Sequence, residues 1–283
     1  MSGGPEARVP AGLTDELRAA VEHLAEAPAL LIALDFDGTL SPLVPHAADA
    51  RPHPRAARAL VSLAGLEGTT TALVSGRSLE SLRHVAQPDP RTLLVGSHGA
   101  EVWLGEGSTS LTLDATQREL LDRVRQLLSE VASQAPGCWV EDKPAAAVLH
   151  TRQASEEDAL DAEAAARHLL EHLSGVHLLA GKRVLEATVV NASKGEALDF
   201  LRAAYGPVSV LYAGDDVTDE TAFLRLDSGA SARFPDLGVK VGDGFTAAGF
   251  RVASPEDVAD LLELLFTCRS PGRGDKSHPY LQY

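Results

Sequence analysis

Residues 29–40 have the sequence Ala29-Leu30-Leu31-Ile32-Ala33-Leu34-Asp35-Phe36-Asp37-Gly38-Thr39-Leu40. The apolar run at the start of this stretch is typical of a short strand that is buried on both faces of a parallel sheet. Two carboxylates, Asp35 and Asp37, follow at the point where that strand should end. A carboxylate in this place can attack an electrophile, and its neighbour two residues on can donate or accept the proton. This pattern favours phosphoryl transfer as a working hypothesis.

Predicted strands alternate with predicted helices on both sides of this stretch. An amphipathic helix is expected over residues 14–27, ahead of the first strand. Further helices are expected over residues 55–64, 79–86, 194–204 and 255–266, and further strands over residues 69–74, 92–95, 208–213, 239–242 and 250–252. Such alternation predicts an α/β fold with a parallel sheet and right-handed crossovers.

A segment over about residues 113–189 interrupts the parallel pattern. Its predicted order is helix, strand, strand, helix, strand, strand, which is an antiparallel α+β unit made of two similar halves. Apolar residues recur at helical spacing in both helices: Leu120, Val124, Leu127, Leu128 and Val131 in the first, and Ala162, Ala166, Leu169, Leu170 and Leu173 in the second. We therefore predict a helical N-terminal extension (1–27), a core in two pieces (28–112 and 189–268), an inserted domain (113–188) and a flexible tail (269–283).

The composition excludes several classes of partner. A net charge of -15 over 283 residues repels nucleic acids and anionic membranes. Residues 1–10 lack a basic segment followed by an apolar core, and no apolar stretch approaches the roughly 20 residues that span a bilayer. Cys138 and Cys268 are far apart, so we expect partly buried thiols and neither a disulfide framework nor a cysteine metal site. A cytoplasmic protein is predicted, a monomer rather than an oligomer.

Polar residues follow several of the predicted strands of the core. Ser75 follows the strand over residues 69–74, Lys194 opens a helix, and Asp215 follows the strand over residues 208–213. Ligands bind at the carboxyl ends of the strands in open parallel sheets. Two carboxylates about 4 Å apart repel each other by on the order of 4 kcal/mol at an effective dielectric near 20, so Asp35 and Asp215 need a cation between them. Hard oxygen ligands favour Mg²⁺, bound by both carboxylates and by the backbone carbonyl of Asp37.

Each residue of this group then has a chemical task. Asp35 would attack phosphorus, and Asp37 would protonate the leaving oxygen and then activate water. Ser75 and nearby N–H groups would hold the phosphoryl oxygens, and Lys194 would stabilise the charge of the transition state.

Simpler explanations exist for three of the charged residues. Lys194 could equally be a solvated lysine at the start of a helix, and Asp216 or Asp219 could cap a helix, either instead of orienting the metal ligands or in addition to it. Each of these explanations suits one residue taken alone, but the order of all the motif residues along the chain is much harder to explain by chance.

The predicted strands of the insert place several polar residues on shared faces. By the two-residue alternation of a strand, Trp139, Glu141 and Lys143 lie together, as do His150 with Arg152, and Val184, Glu186 and Thr188. This face could bind a polar ligand, or it could simply meet water, as one face of an antiparallel sheet often does.

These motifs together resemble the haloacid dehalogenase superfamily of phosphotransferases. The four matching elements are Asp35-Phe36-Asp37-Gly38-Thr39-Leu40, Ser75, Lys194 and Gly214-Asp215-Asp216. Longer segments narrow the resemblance to the trehalose-6-phosphate phosphatase family: Ser75-Gly76-Arg77, Gly96-Ser97-His98-Gly99-Ala100-Glu101, Val140-Glu141-Asp142-Lys143, His150-Thr151-Arg152 and Gly214-Asp215-Asp216-Val217-Thr218-Asp219-Glu220.

The resemblance implies a Rossmann-like hydrolase core whose inserted α+β domain is a cap over the active site. It also implies an Mg²⁺-dependent phosphatase that hydrolyses trehalose 6-phosphate through an aspartyl phosphate. A phosphatase of another sugar phosphate and a non-catalytic sugar-phosphate sensor are the alternatives.

The resemblance assigns substrate contacts as well. It implies that the cap residues Glu141, Lys143, Arg152 and Glu186 face the sugar phosphate. His98 and Gly99 lie in the loop before the cap, where they would contact substrate or have a hinge or structural role, and Arg77 is a further candidate for substrate binding.

Overall fold

The computed structural model describes residues 12–105, 113–181, 183–190, 192–206, 208–227 and 233–270. Its α-helices are α1 (Asp15–Leu24), α2 (Pro54–Ala64), α3 (Leu79–Ala86), α4 (Ala115–Gln134), α5 (Glu156–Leu170), α6 (Lys194–Tyr205), α7 (Glu220–Phe223) and α8 (Pro255–Arg269). Its strands are β1 (Leu30–Leu34), β2 (Thr69–Val74), β3 (Leu93–Gly96), β4 (Glu101–Trp103), β5 (Trp139–Asp142), β6 (Ala146–His150), β7 (His177–Gly181), β8 (Val184–Thr188), β9 (Ser209–Gly214), β10 (Leu237–Val241) and β11 (Phe250–Val252).

A seven-stranded sheet carries the core, in the order β11-β10-β9-β1-β2-β3-β4. The central strand β1 is parallel to both β2 and β9, and all five of its residues are buried. The α/β fold predicted from the apolar run of β1 is therefore confirmed. Only the edge strand β4 departs from the prediction among the described strands of this sheet: it pairs antiparallel with β3 over three half-buried residues for which no strand was predicted. So short a strand shows no periodicity from which to predict it.

Helices cover both faces of the large sheet. On one face, Leu17, Val21 and Leu24 of α1 pack in the same apolar cluster as α2 and α8, as their spacing predicts. On the other face, Leu198 and Leu201 of α6 pack against β1, β2 and β9. The large sheet is thereby buried on both sides.

Helix α8 extends beyond its predicted end at residue 266. Its last residue, Arg269, donates to Thr69 Oγ1 at 2.6 Å and to the carbonyls of Ala25 and Ala27 at 2.9 and 2.6 Å. These bonds fix the end of the helix against the start of β2. Of the predicted tail, residues 271–283 lie outside the described residues, as do residues 1–11 of the predicted N-terminal extension.

A second, four-stranded antiparallel sheet has the order β5-β6-β8-β7. One of its faces packs against α4 and α5 through a separate apolar cluster that includes Leu128, Ala166, Leu149 and Leu185. This confirms the predicted order of two helix–strand–strand halves. One residue of the predicted stripe is wrong, because Leu169 is 40% exposed. Leu170, also in the predicted stripe, does lie in the cluster, since successive helical residues are rotated by about 100°.

Two smaller expectations can also be compared with the structure. Cys138 and Cys268 are partly buried, as expected. None of the helices in the described ranges is long and apolar enough to cross a membrane. The domain limits stay predictions.

Candidate active site

The ends of three neighbouring strands meet at one edge of the large sheet. Leu34, the last residue of β1, pairs with Leu73 of β2 and with Ala213 of β9. Asp35 follows β1 directly, and its backbone N–H donates to the carbonyl of Ala213 at 2.9 Å. The pairing brings the residues after β1, β2 and β9 together at the edge where ligands bind in such sheets.

A buried ion-pair network lies at this edge. Lys194 Nζ is 2.9 Å from Asp35 Oδ1 and 2.8 Å from Asp219 Oδ1, and the side chains are 3%, 5% and 0% exposed, respectively. Lys194 is placed by the start of α6, where the Ser193 side chain caps the helix by accepting from Glu196 N–H. The interpretation of Lys194 as a solvated lysine at the start of a helix is therefore wrong.

Asp219 is held from several sides. Its Oδ1 also accepts from the Tyr212 hydroxyl at 2.7 Å, and its Oδ2 accepts from the Asp216 N–H at 2.9 Å. Both carboxylate oxygens are thus engaged by the protein. Asp219 both caps the short turn after β9 and fixes Lys194, whereas the exposed Asp216 carboxylate accepts from Val217 N–H and so caps the turn.

Burial and charge shift the ionisation of this group. Burial raises the pKa of Asp35 well above its usual value, and the nearby Lys194 ammonium opposes that rise. Burial lowers the pKa of Lys194, but the charges of Asp35 and Asp219 outweigh this and raise it above its usual value. Burial also raises the pKa of Asp215 to about 6. Three carboxylates against one ammonium leave an excess of negative charge that a bound cation would relieve.

The residues present fit a hard divalent cation. Carboxylate oxygens of Asp35, Asp215 and Asp219 lie within 4.8 Å of one another. Asp215 Oδ1 is buried and has no hydrogen-bond partner among the described residues. Since both oxygens of Asp219 are occupied, Asp35 and Asp215 are the carboxylates that could bind Mg²⁺, which commonly takes one or two protein carboxylates.

Two contacts hold Asp215 close to the residues that follow β1. Gly38 has a φ of 82°, and a Cβ at this position would collide with the Asp215 carboxylate. Lys240, a buried residue of β10, donates to the Asp215 carbonyl. A lysine inside an otherwise apolar strand was a signal in the sequence that the prediction did not use.

Asp37 makes a contact that the sequence analysis missed. Arg77 binds its carboxylate with two bonds, Nε to Oδ2 at 2.5 Å and Nη2 to Oδ1 at 2.6 Å. The Arg77 guanidinium also lies over the Phe36 ring, 5.5 Å from its centroid. In this structure, then, Asp37 is the partner of the residue that we had predicted to bind substrate.

The loop after β3 packs against the same edge. Ser75 is buried, and its carbonyl accepts from the His98 N–H at 3.0 Å. Ser97 and His98 have left-handed φ angles of 48° and 56°, which is uncommon for residues with a Cβ. Burial lowers the pKa of His98 to about 4, so its imidazole is neutral at neutral pH.

Gly99 allows this loop to approach α6. With a φ of 119°, it lies so close to the Ser193 carbonyl that an added Cβ would be 2.9 Å from that oxygen. This contact supports the structural alternative for Gly99.

The open face of the small sheet contains most of the predicted cap residues. Lys143 Nζ is 2.7 Å from Glu186 Oε2, and it also donates to the carbonyl of Gly76 at 3.3 Å, which links the small sheet to the active-site edge. Glu141 Oε2 is 2.8 Å from His150 Nε2. Arg152 is exposed and forms no hydrogen bond or ion pair with the side chains that the structure describes. The face is thus polar: some of its charged side chains pair with one another, and others are exposed to water.

The model of one protein family, described as trehalose-phosphatase, matches residues 33–256. The chain belongs to the trehalose-phosphatase family. All the motif residues of the large-sheet edge and of the small sheet lie inside that match, so the resemblance inferred from them is confirmed.

Individual relatives agree with the family. The trehalose-6-phosphate phosphatase of Escherichia coli is 34% identical over 255 residues, which cover 87% of this chain and 91% of the relative. An uncharacterized glycosyl hydrolase of Mycobacterium tuberculosis is 34% identical over 248 residues, and the chain spans only 18% of that relative's length. The solved C-terminal domain of the Candida albicans trehalose-6-phosphate phosphatase has a TM-score of 0.73 at 22% identity, with 92% of this chain and 99% of that one covered. This last likeness shows the fold.

Proposed function

We propose that the protein hydrolyses trehalose 6-phosphate to trehalose and inorganic phosphate. The observation that carries the proposal is the buried Asp35, paired with Lys194 beside an unpartnered oxygen of Asp215. Family membership and the name of the Escherichia coli relative supply the substrate.

Asp35 is the proposed phosphoryl acceptor. Its carboxylate attacks phosphorus, so that a bond forms between Asp35 and phosphorus while the bond from phosphorus to the sugar oxygen breaks. In the second half, water attacks the same phosphorus, the bond to Asp35 breaks, and phosphate leaves. Lys194, whose pKa is raised by the two carboxylates beside it, stays charged and stabilises the added negative charge in both halves.

Asp37 is the proposed proton carrier. It would protonate the departing sugar oxygen and then accept the proton of the attacking water. Because Arg77 holds both oxygens of Asp37 in this structure, the two must separate, and Asp37 must gain a proton on substrate binding, before Asp37 can donate one. An arriving phosphoryl group offers Arg77 an anion with the same two-oxygen geometry, and it would thereby release Asp37.

Asp35 and Asp215 would hold Mg²⁺, with the Asp37 backbone carbonyl as a further ligand. The ion would supply Lewis-acid stabilisation of the phosphoryl oxygens and would favour the ionised form of both carboxylates. Asp219 supports this arrangement through Lys194 and the backbone of Asp216.

Phosphate release from a panel of substrates tests the proposal. The purified protein with Mg²⁺ is expected to act on trehalose 6-phosphate faster than on sucrose 6-phosphate, glucose 6-phosphate or mannosylphosphoglycerate. Faster turnover of one of the others would replace the substrate but keep the chemistry. Binding of a sugar phosphate without any turnover would support the sensor instead, although Asp35, Asp37, Lys194 and Asp215 are all present. Monomeric state and cytoplasmic location remain predictions.

A further inference from the structure

Trp139 presents a large aromatic ring on the open face of the small sheet. It begins the edge strand β5, and it is 45% exposed. Its ring is stacked on that of His150, with 3.9 Å between centroids and 2° between planes. His150 covers one face of the indole. The 45% exposure of Trp139 therefore comes from the other face.

The stacked pair is held in place from below. Trp139 and His150 are direct partners in the pairing of β5 with β6. His150 Nε2 is 2.8 Å from Glu141 Oε2, which fixes the orientation of the imidazole. A ring that is already ordered loses little conformational entropy when a ligand covers it.

Trp139 and His150 lie on the same face of the small sheet as Lys143 and Glu141, and farther from the active-site edge than Lys143. Lys143 lies nearest that edge, because its Nζ contacts the Gly76 carbonyl. Glu141 and Trp139 follow on the same face, two and four residues back along the chain. Lys143 follows β5 directly, and at a rise of about 3.3 Å per residue an extended stretch from Trp139 to Lys143 spans about 13 Å. That spacing is comparable with the length of a phosphorylated disaccharide.

We propose that the Trp139–His150 pair is a stacking platform for the sugar ring farther from the phosphate. The face of a pyranose ring carries C–H bonds, which are attracted to the negative face of an indole. Its edges carry hydroxyls, which can donate to the neighbouring Glu141 carboxylate. This inference rests on the proposed function, because it requires a substrate with two rings.

Comparison of one-ring and two-ring substrates tests the platform. The variants are Trp139→Leu and Trp139→Phe, with Phe200→Leu as a matched control, since Phe200 is 49% exposed on α6, outside the small sheet. For trehalose 6-phosphate, Trp139→Leu is expected to raise KM about 5- to 10-fold with little change in kcat, and Trp139→Phe to raise it less. For glucose 6-phosphate, which lacks the distal ring, kcat/KM should stay within about twofold in all three variants.

Three results would overturn the platform. These are an unchanged KM for trehalose 6-phosphate in Trp139→Leu, an equal loss on both substrates in Trp139→Leu and Trp139→Phe, and a similar rise in KM in Phe200→Leu. Failure of the proposed function would appear in the wild type instead, as a lack of turnover of trehalose 6-phosphate.

If Trp139→Leu fails to fold, a binding measurement that keeps Trp139 in place tests the platform. Trp103 and Trp139 are the two tryptophans of the chain. In a Trp103→Phe variant, addition of trehalose is expected to give a saturable change in the fluorescence of Trp139. Fluorescence that does not respond to trehalose would overturn the platform.

Discussion

The edge of the large sheet and the open face of the small sheet both gather charged residues, but they do so in opposite ways. At the edge, Asp35, Lys194 and Asp219 have side chains no more than 5% exposed, and Lys194 lies 2.9 and 2.8 Å from the two carboxylates. On the open face, the Lys143–Glu186 pair nearest the edge is 11% exposed on each side, and farther out Glu141 is 44% exposed and the uncharged Trp139 is 45% exposed. Charges that are removed from water interact strongly and keep one geometry, as bond-breaking chemistry requires. An open face can exchange water for a sugar, so it is suited to selecting the substrate.

Lys143 connects the two regions. It is paired with Glu186 on the small sheet and donates to the Gly76 carbonyl beside Ser75. The comparison therefore predicts that changes at the buried edge remove catalysis or stability, and that changes on the open face mainly alter KM.

The largest effect is expected from Asp35→Asn. Loss of the proposed nucleophile should lower kcat by roughly 10⁴-fold or more. Binding of trehalose 6-phosphate should persist, because most contacts to the phosphate and the sugar remain. Phosphate release measures kcat, and calorimetric titration measures the binding of trehalose 6-phosphate. Turnover near that of the wild type would exclude Asp35 as the phosphoryl acceptor, and circular dichroism would show whether the variant is folded.

Asp219→Ala and Asp216→Ala form a matched pair within one turn. Asp219 is fully buried, and its removal takes away one of the two carboxylates that contact Lys194 and the acceptor of the buried Tyr212 hydroxyl, so it should cost about 3–5 kcal/mol of unfolding free energy. Asp216 is an exposed cap, and its removal should cost about 1 kcal/mol. Urea denaturation measures both. Equal losses would mean that the buried network is not what stabilises this edge.

A smaller effect, and one on KM, is expected from Lys143→Met. The change removes the charge that faces both Glu186 and the active-site edge, so KM for trehalose 6-phosphate should rise by about 10- to 100-fold. Arg167→Met, on the helix α5 behind the small sheet, is the control with the same loss of charge. If kcat fell by as much as KM rose, Lys143 would belong with the catalytic edge and the division between the two regions would fail.

The smallest effect concerns pH and His98. Its pKa is lowered from 6.5 to about 4 by burial, so between these values the unfolded chain binds more protons than the folded protein does. Stability from this group is therefore present above pH 6.5 and is lost as pH falls towards 4, by about 1–3 kcal/mol.

The His98→Gln variant lacks this contribution. The difference in unfolding free energy between the wild type and the variant should shrink as pH falls from 7 to 4.5. A difference that stays constant over this range would show that His98 is not buried as a neutral imidazole.

Much of the fold was predictable because its signals are local. The buried run of β1 and the helical stripe of α1 depend on neighbours in sequence, and both formed as predicted. The grouping of Asp35, Lys194 and Asp215 was predictable as well, since parallel strands carry their carboxyl ends to one edge.

Contacts that depend on side-chain placement across the fold were not predictable in the same way. Arg77 meets Asp37 across 40 positions of sequence, and no spacing rule relates the two. Tyr212 gave a partial signal, because a hydroxyl in a buried strand needs a partner, but nothing in the sequence shows that Asp219 accepts from it. The position of a residue in a sheet follows from the pattern of apolar and polar residues around it. Which side chains contact one another depends on how the whole chain packs.

Chemical trapping of the phosphorylated protein tests the central claim most directly. The wild type is mixed with trehalose 6-phosphate and Mg²⁺, quenched within one turnover, and treated with borohydride, which reduces an acyl phosphate of aspartate to homoserine. The account predicts homoserine at position 35 in the peptide that contains Asp35 and Asp37, and none at position 37. Unmodified Asp35 after a demonstrated turnover, or reduction at another aspartate, would contradict it.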